Sequence, residues 1–150
     1  PLRLDLSSRN TAIIKAIRKV NGIHTLELKE DLQFSSKEYA QLSALAIKRI
    51  VIKGETWGQE VMIDLLAGKG LESLVLIRCK LGLDSFQALS SAKRVSALTL
   101  KSCAIEDDSV LLADMVPKLK RLSLEKCKGL SSEAMSELKN RFQNIEVSIR

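Results

Sequence analysis

A chain of 150 residues with 45% hydrophobic and 28% charged side chains suits one compact domain or a short repeat array, and is too apolar for disorder. Its net charge of +6 is dispersed rather than gathered in a tail, so acidic partners are favoured only modestly. No run reaches the roughly 18 uninterrupted apolar residues of a membrane span, which sets membranes aside as partners. The three cysteines do not make an even set. They argue against a disulfide framework and for a reducing, intracellular compartment, cytoplasmic or nuclear. Aromatic residues are only 3% of the chain, so its core must be aliphatic. No secretory leader follows Pro1, and the sequence is expected to be a piece of a longer protein.

In chain order, Leu4-Asp5-Leu6 is the remnant of a first strand, and Ile13, Ile14 and Ile17 recur at helical spacing. They predict a helix near 11–20, with Gly22 where its C-cap belongs. Ile23, Leu26 and Leu28 form a second strand. Ser35-x-x-Glu38 has capping-box form and opens a helix near 36–46 carrying Tyr39, Leu42 and Leu45. Ile47, Ile50 and Ile52 make a third strand, followed by Thr56-x-x-Gln59 and a helix near 57–68 with Val61, Leu65 and a cap at Gly70. Then the pattern sharpens. Leu71, Leu74, Leu76 and Cys79 precede Asp84-x-x-Gln87 and a helix near 84–93. Val95, Leu98, Leu100 and Cys103 precede a helix near 107–117 with Leu111 and Met115. Leu119, Leu122, Leu124 and Cys127 precede a helix near 132–141 with Met135 and Leu138. Phe142, Ile145 and Val147 read as a last strand, one residue early.

The phrase L-x-x-L-x-L-x-x-C stands three times, its cysteines 24 residues apart. Weaker copies extend it in both directions. The central apolar positions 4, 26, 50, 74, 98, 122 and 145 differ by 22, 24, 24, 24, 24 and 23. Each L-x-L alternation is a short strand that can bury its leucines only by stacking on the next coil. Crossovers of this length make a parallel sheet. The cysteine turns inward at the strand's end as a compact apolar filler, so Cys79, Cys103 and Cys127 are expected buried, reduced and adjacent.

This pattern resembles the leucine-rich-repeat family, in its ribonuclease-inhibitor-like and cysteine-containing branches. The resemblance is most specific over 71–127 and loosens earlier, where Glu55, Asp31 and Arg9 occupy the cysteine position. It implies an α/β fold, a right-handed solenoid shaped as a horseshoe. About seven parallel strands would line the concave face and helices the convex face, in one domain over 1–150 of about six repeats plus a terminal strand.

Convergent chemistry is scarce. His24 is the sole histidine, and its place just before a strand reads as an exposed loop position. Gly68-Lys69-Gly70 lacks the flanking residues of a phosphate loop and reads as a helix end. Glu106-Asp107-Asp108 enters a helix, where acidic residues suit the dipole. Trp57 reads as a packed staple at a helix start, or else as a binding anchor. The expectation is a non-enzyme with no cofactor, no metal and no small-molecule substrate.

Side chains between the leucines point onto the inner surface. Before the central leucine stand Arg3, Thr25, Arg49, Ser73, Ala97, Arg121 and Asn144. Between the leucines stand Asp5, Glu27, Val51, Val75, Thr99, Ser123 and Glu146. After them come Ser7, Lys29, Lys53, Ile77, Lys101, Glu125 and Ser148. An apolar centre of Val51, Val75 and Ile77 with Arg49, Lys53, Arg78, Lys101, Arg121 and Lys126 around it has the anatomy of a protein-binding patch; these residues without Lys126, together with Thr99, are the nine candidate contacts. The expected role is a protein-interaction module, such as an adaptor, complex subunit or effector recognition arm. Its partner would carry an acidic or apolar surface. Nucleic-acid binding through the same basic surface is the alternative, weakened by the scarcity of aromatic stacking platforms. A structural spacer within a larger solenoid is the third.

Overall fold

The computed structural model describes residues 2–6, 16–17, 22–29, 35–54, 59–106, 116–142 and 145–150. Nine strands are described: β1 Leu2–Leu6, β2 Ile23–Lys29, β3 Arg49–Lys53, β4 Ser73–Ile77, β5 Lys80–Leu81, β6 Ala97–Lys101, β7 Ala104–Ile105, β8 Arg121–Glu125 and β9 Glu146–Ile149. The helices among the described residues are α1 Ser36–Ser43, α2 Gln59–Leu66, α3 Leu83–Leu89 and α4 Ser132–Arg141. The protein is a mixed α/β fold around a seven-stranded parallel sheet in the order β1-β2-β3-β4-β6-β8-β9, which is sequence order.

The register follows from two ladders of aliphatic side chains. Leu26 pairs with Ile50, Leu74, Leu98 and Leu122 in turn, and Leu28 with Ile52, Leu76, Leu100 and Leu124. All of these residues are buried, and they join one core with Tyr39 and Leu42 of α1, Met62 and Leu65 of α2, Phe86 and Leu89 of α3 and Leu138 of α4. The core therefore lies between the sheet and the helices. α1 packs beside α2, and α2 beside α3. A void beside Cys79, lined by Ile52, Met62 and Leu76, measures about 10 Å³, close to the least that holds a water molecule.

Four of the strands, β3, β4, β6 and β8, are followed by a residue with positive φ. Arg78, Ser102 and Lys126 have φ of 58°, 52° and 53°, and Gly54 at the equivalent place has 130°. The turn aims the next residue inward. Cys103 Sγ lies 3.4 Å from the Leu76 carbonyl oxygen of the preceding core strand, and Cys127 Sγ lies 3.3 Å from that of Leu100. Cys79 and Cys103 are buried, whereas Cys127 is only half-buried. It is the last of the three, with no fourth cysteine to cover it. Just beyond the cysteines, β5 and β7 pair as a second, two-residue ladder, and Ala104 bridges Lys128. Alternation alone does not announce that ladder.

Helix ends depart from the sequence expectation in several places. Glu38 accepts hydrogen bonds from the Ser35 backbone N–H at 2.7 Å and from its hydroxyl at 2.8 Å, the return half of the capping box. α1 stops at Ser43, three residues before the expected end. The cap of α3 is Gly82, and Asp84 sits inside its first turn rather than at its start. Ser131, not singled out by the sequence, caps α4 by accepting from the Ala134 N–H at 3.0 Å. Gly22 is left-handed as expected at φ 84°. Gly70 is not; a Cβ there would crowd the Ala46 carbonyl carbon at 3.1 Å.

The last strand is also displaced. Val147 rather than Ile145 pairs with Leu122, and Ile149 pairs with Leu124. The final interval is thus longer than its predecessors rather than shorter, because α4 runs on to Arg141 and Phe142 caps it. Outside the described residues lie most of the expected helix at 11–20, Thr56, Trp57, Asp107, Asp108, nearly all of the expected helix at 107–117, Ser7 and Asn144. Among the described residues no helix is long and apolar enough to cross a membrane.

Candidate functional site

Strand residues alternate between faces, so the same register that builds the core lines up three rows on the sheet's other side, here the open face. One row holds Arg3, Thr25, Arg49, Ser73, Ala97, Arg121 and Glu146. The next holds Glu27, Val51, Val75, Thr99, Ser123 and Ser148, and a third Lys29, Lys53, Ile77, Lys101 and Glu125. Glu146 takes the place expected of Asn144, and Ser148 that of Glu146, as the displaced last strand requires.

A depression of about 480 Å³ on this face is lined by Arg49, Val51, Lys53, Val75, Ile77, Thr99 and Lys101, with Glu27, Glu125 and His24 at its border. Seven of the nine sequence-chosen residues meet there. Arg121 lines an adjoining depression of about 290 Å³ that shares Arg49 and Thr99 with the first. Arg78 belongs to neither. Its left-handed turn takes the exposed side chain out of the strand rows.

Accessibility within the patch is uneven. Val51 and Val75 are 7% and 5% exposed, yet neither belongs to the core cluster. Each sits on a strand that is paired on both sides. Ile77 and Thr99 are half-buried, and Arg49, Lys101 and Arg121 are exposed. The reachable apolar contact is therefore Ile77. His24 is exposed within β2 rather than in a loop, its Nδ1 3.3 Å from the Thr25 hydroxyl.

The charge pattern holds what sequence reading missed. Glu27 is 1% exposed, the only buried charged side chain among the described residues. It forms ion pairs with Arg3 on one neighbouring strand and Lys53 on the other. Both lie diagonally across the pairing, within reach of long side chains. Burial opposes ionisation of Glu27, but the hydrogen bonds and charges of Lys53 and Arg3 outweigh it and hold the carboxyl below its ordinary range. On the far side Lys101 pairs with Glu125 at 3.1 Å. Lys53 and Lys101, expected as free rim charges, are thus neutralised by this chain's own carboxylates. Arg49 and Arg121 make no ion pair among the described residues. The signal for Glu27 was present in the rows, since Arg3 and Lys53 flank it on adjacent strands.

The thiols face the opposite way. For Cys103 the Cys127 thiol favours ionisation, but the Cys79 thiol and burial oppose it, and the net shift is upward. The Cys103 thiol and burial push Cys127 up as well. Thiols held protonated are poor nucleophiles and poor metal ligands. Among the described residues no group of three or more His, Cys, Asp or Glu is placed to hold a metal ion. No protein-family model matches the chain, and no curated protein matches it in sequence.

Proposed function

We propose that the chain is a leucine-rich-repeat module, a right-handed solenoid whose open, concave sheet face binds a protein partner. The repeat reading is supported by the sheet's sequence order, the in-register leucine ladders and the recurrence of the left-handed turn at Gly54, Arg78, Ser102 and Lys126. One observation carries the binding reading. The depression on the open face combines aliphatic side chains that the core does not use with a border of charged groups. An apolar centre inside a polar rim is the general anatomy of a protein contact. Ile77 supplies the desolvated contact, Val51 and Val75 its floor, and Arg49 and Arg121 the steering charge. Nucleic-acid binding is less well supported, because three of the four arginines and lysines that line the depression, Arg3, Lys53 and Lys101, are already paired with Glu27 or Glu125.

A photo-cross-linking side chain placed at Thr99 should capture the partner, and one placed at Ser136 on the exposed side of α4 should not. Ile77→Asp should abolish the Thr99 capture without changing the unfolding midpoint by more than about 1 kcal/mol in equivalent stability. Equal capture from both positions, or capture indifferent to Ile77→Asp, would move the contact to the helices.

A further inference from the structure

The two depressions differ in chemistry. The larger is floored by aliphatic residues and its lysines are internally neutralised. The smaller is lined by Ser73, Thr99 and Ser123 beside Ala97, with Arg49 at one side, Arg121 at the other and Glu146, Ser148 and Arg150 beyond Arg121. These arginines occupy one row of the sheet, on β3 and β8, with only Ser73 and Ala97 between them. The two small side chains leave the space between the guanidiniums open. Both arginines are exposed, and neither makes an ion pair among the described residues, although Glu146 stands directly beside Arg121 in the pairing. An unpaired guanidinium presents a planar fork that fits a carboxylate bidentately.

The spacing adds a length. Arg49 and Arg121 are separated by three inter-strand steps, roughly 14 Å at about 4.8 Å per step. An extended peptide advances roughly 3.3 Å per residue, and side chains an even number of residues apart lie on the same side. Carboxylates four residues apart therefore stand roughly 13 Å apart and both face the sheet. Those three residues apart face opposite ways.

We infer that Arg49 and Arg121 recognise two carboxylates four residues apart on an extended acidic segment of the partner, laid across the strands over Ser73 and Ala97. Ser73, Thr99 and Ser123 then meet the segment's backbone. This rests on the open face being the binding face, and it names the partner's chemistry there.

The test needs no identified partner. The acetylated peptide Glu-Thr-Ser-Thr-Glu and its isomer Glu-Thr-Ser-Glu-Thr are titrated into the full chain at low ionic strength, with binding followed by amide chemical shifts. The first peptide should bind about fivefold more tightly, the upper end for one exposed ion pair, with shifts centred on Ser73, Ala97 and Thr99. Arg49→Gln and Arg121→Gln should each erase that preference, while Arg94→Gln, an exposed site elsewhere, should leave it intact. Equal affinity for the two isomers, or a preference that survives both substitutions, overturns the inference. So does inorganic phosphate or a short oligonucleotide that saturates the same residues more tightly than the first peptide. If the spacing preference fails while Ile77→Asp still abolishes capture from Thr99, the face binds a partner but not by this device. If the capture test fails while the preference holds, the anion subsite stands without the wider contact.

Discussion

Replacing Leu98 with Ala tests the stacked core at its centre. Leu98 is 1% exposed and lies in register between Leu74 and Leu122, both fully buried. The substitution removes three carbon groups from an apolar site, worth about 2.4 kcal/mol at about 0.8 kcal/mol each. The cavity adds to this, because paired strands on both sides cannot close over it freely. The total should be about 3–5 kcal/mol. Thr99→Ala, the neighbouring residue on the open face, is the control. It should cost less than about 1 kcal/mol, the span of strand propensity. Urea unfolding of the three proteins, with unchanged dependence on denaturant, gives both values. A cost below about 1 kcal/mol for Leu98→Ala, or an equal cost for Thr99→Ala, would refute the assignment of faces.

Glu27→Gln should destabilise the protein by about 1–2 kcal/mol at neutral pH, since it leaves two cations without their buried partner. Because the folded-state pKa of Glu27 is lowered, its contribution is present above the unfolded carboxyl value of about 4.3 and fades as pH falls through the folded one. The gap between the two proteins should shrink in acid, and a gap independent of pH would remove Glu27 as its source. Native thiol labelling should be fastest at half-buried Cys127 and slow at Cys79 and Cys103, all three becoming fast in denaturant; uniform labelling in native buffer would contradict the burial of Cys79 and Cys103. The raised Cys103 and Cys127 thiols should also make stability fall above about pH 8.5, where the unfolded chain ionises and the folded one does not. Gly129→Ala should cost at least about 2 kcal/mol, since φ there is 91° and a Cβ would collide with the Ile105 carbonyl oxygen. A neutral outcome in thermal unfolding would mean the two coils are not in contact at that point.

The repeat was legible because one physical constraint recurs. The three repeats ending in Cys79, Cys103 and Cys127 each place two aliphatic side chains and one cysteine at the same interval, so that interval carries the order of β4, β6 and β8 directly. The last strand was legible but its register was not, for a reason built into strands. Ile145, Val147 and Ile149 alternate, and a slip of two residues leaves all of them on the core face. The hydrophobic pattern cannot choose between those registers; the length of α4 does. Alternation likewise identified which face Val51 and Val75 occupy but not how deeply neighbouring rows bury them. The ion pairs of Glu27 depend on diagonal reach between strands, which becomes visible only once the register is known.

The coil turn explains why cysteine, rather than any small residue, recurs in the sharpest copies. A non-glycine residue in the left-handed region costs on the order of 1 kcal/mol, and Arg78, Ser102 and Lys126 all adopt it. Backbone bonds offset that cost. Arg78 N–H donates to the Lys101 carbonyl at 2.9 Å, Ser102 N–H to that of Glu125 at 2.7 Å and Lys126 N–H to that of Arg150 at 2.8 Å, so the ladder runs through the turn. The following side chain must then be small, apolar enough for the core, and able to donate weakly to the preceding strand's carbonyl. Cysteine meets all three requirements, as the Sγ contacts of Cys103 and Cys127 show. Alanine would lose the donor and serine would bury a stronger polar group. The cysteine spacing is the strongest signal in the chain, yet its cause is structural, and it orients a different surface. By holding successive strands in register, these turns place Arg49 and Arg121 in one row three strands apart.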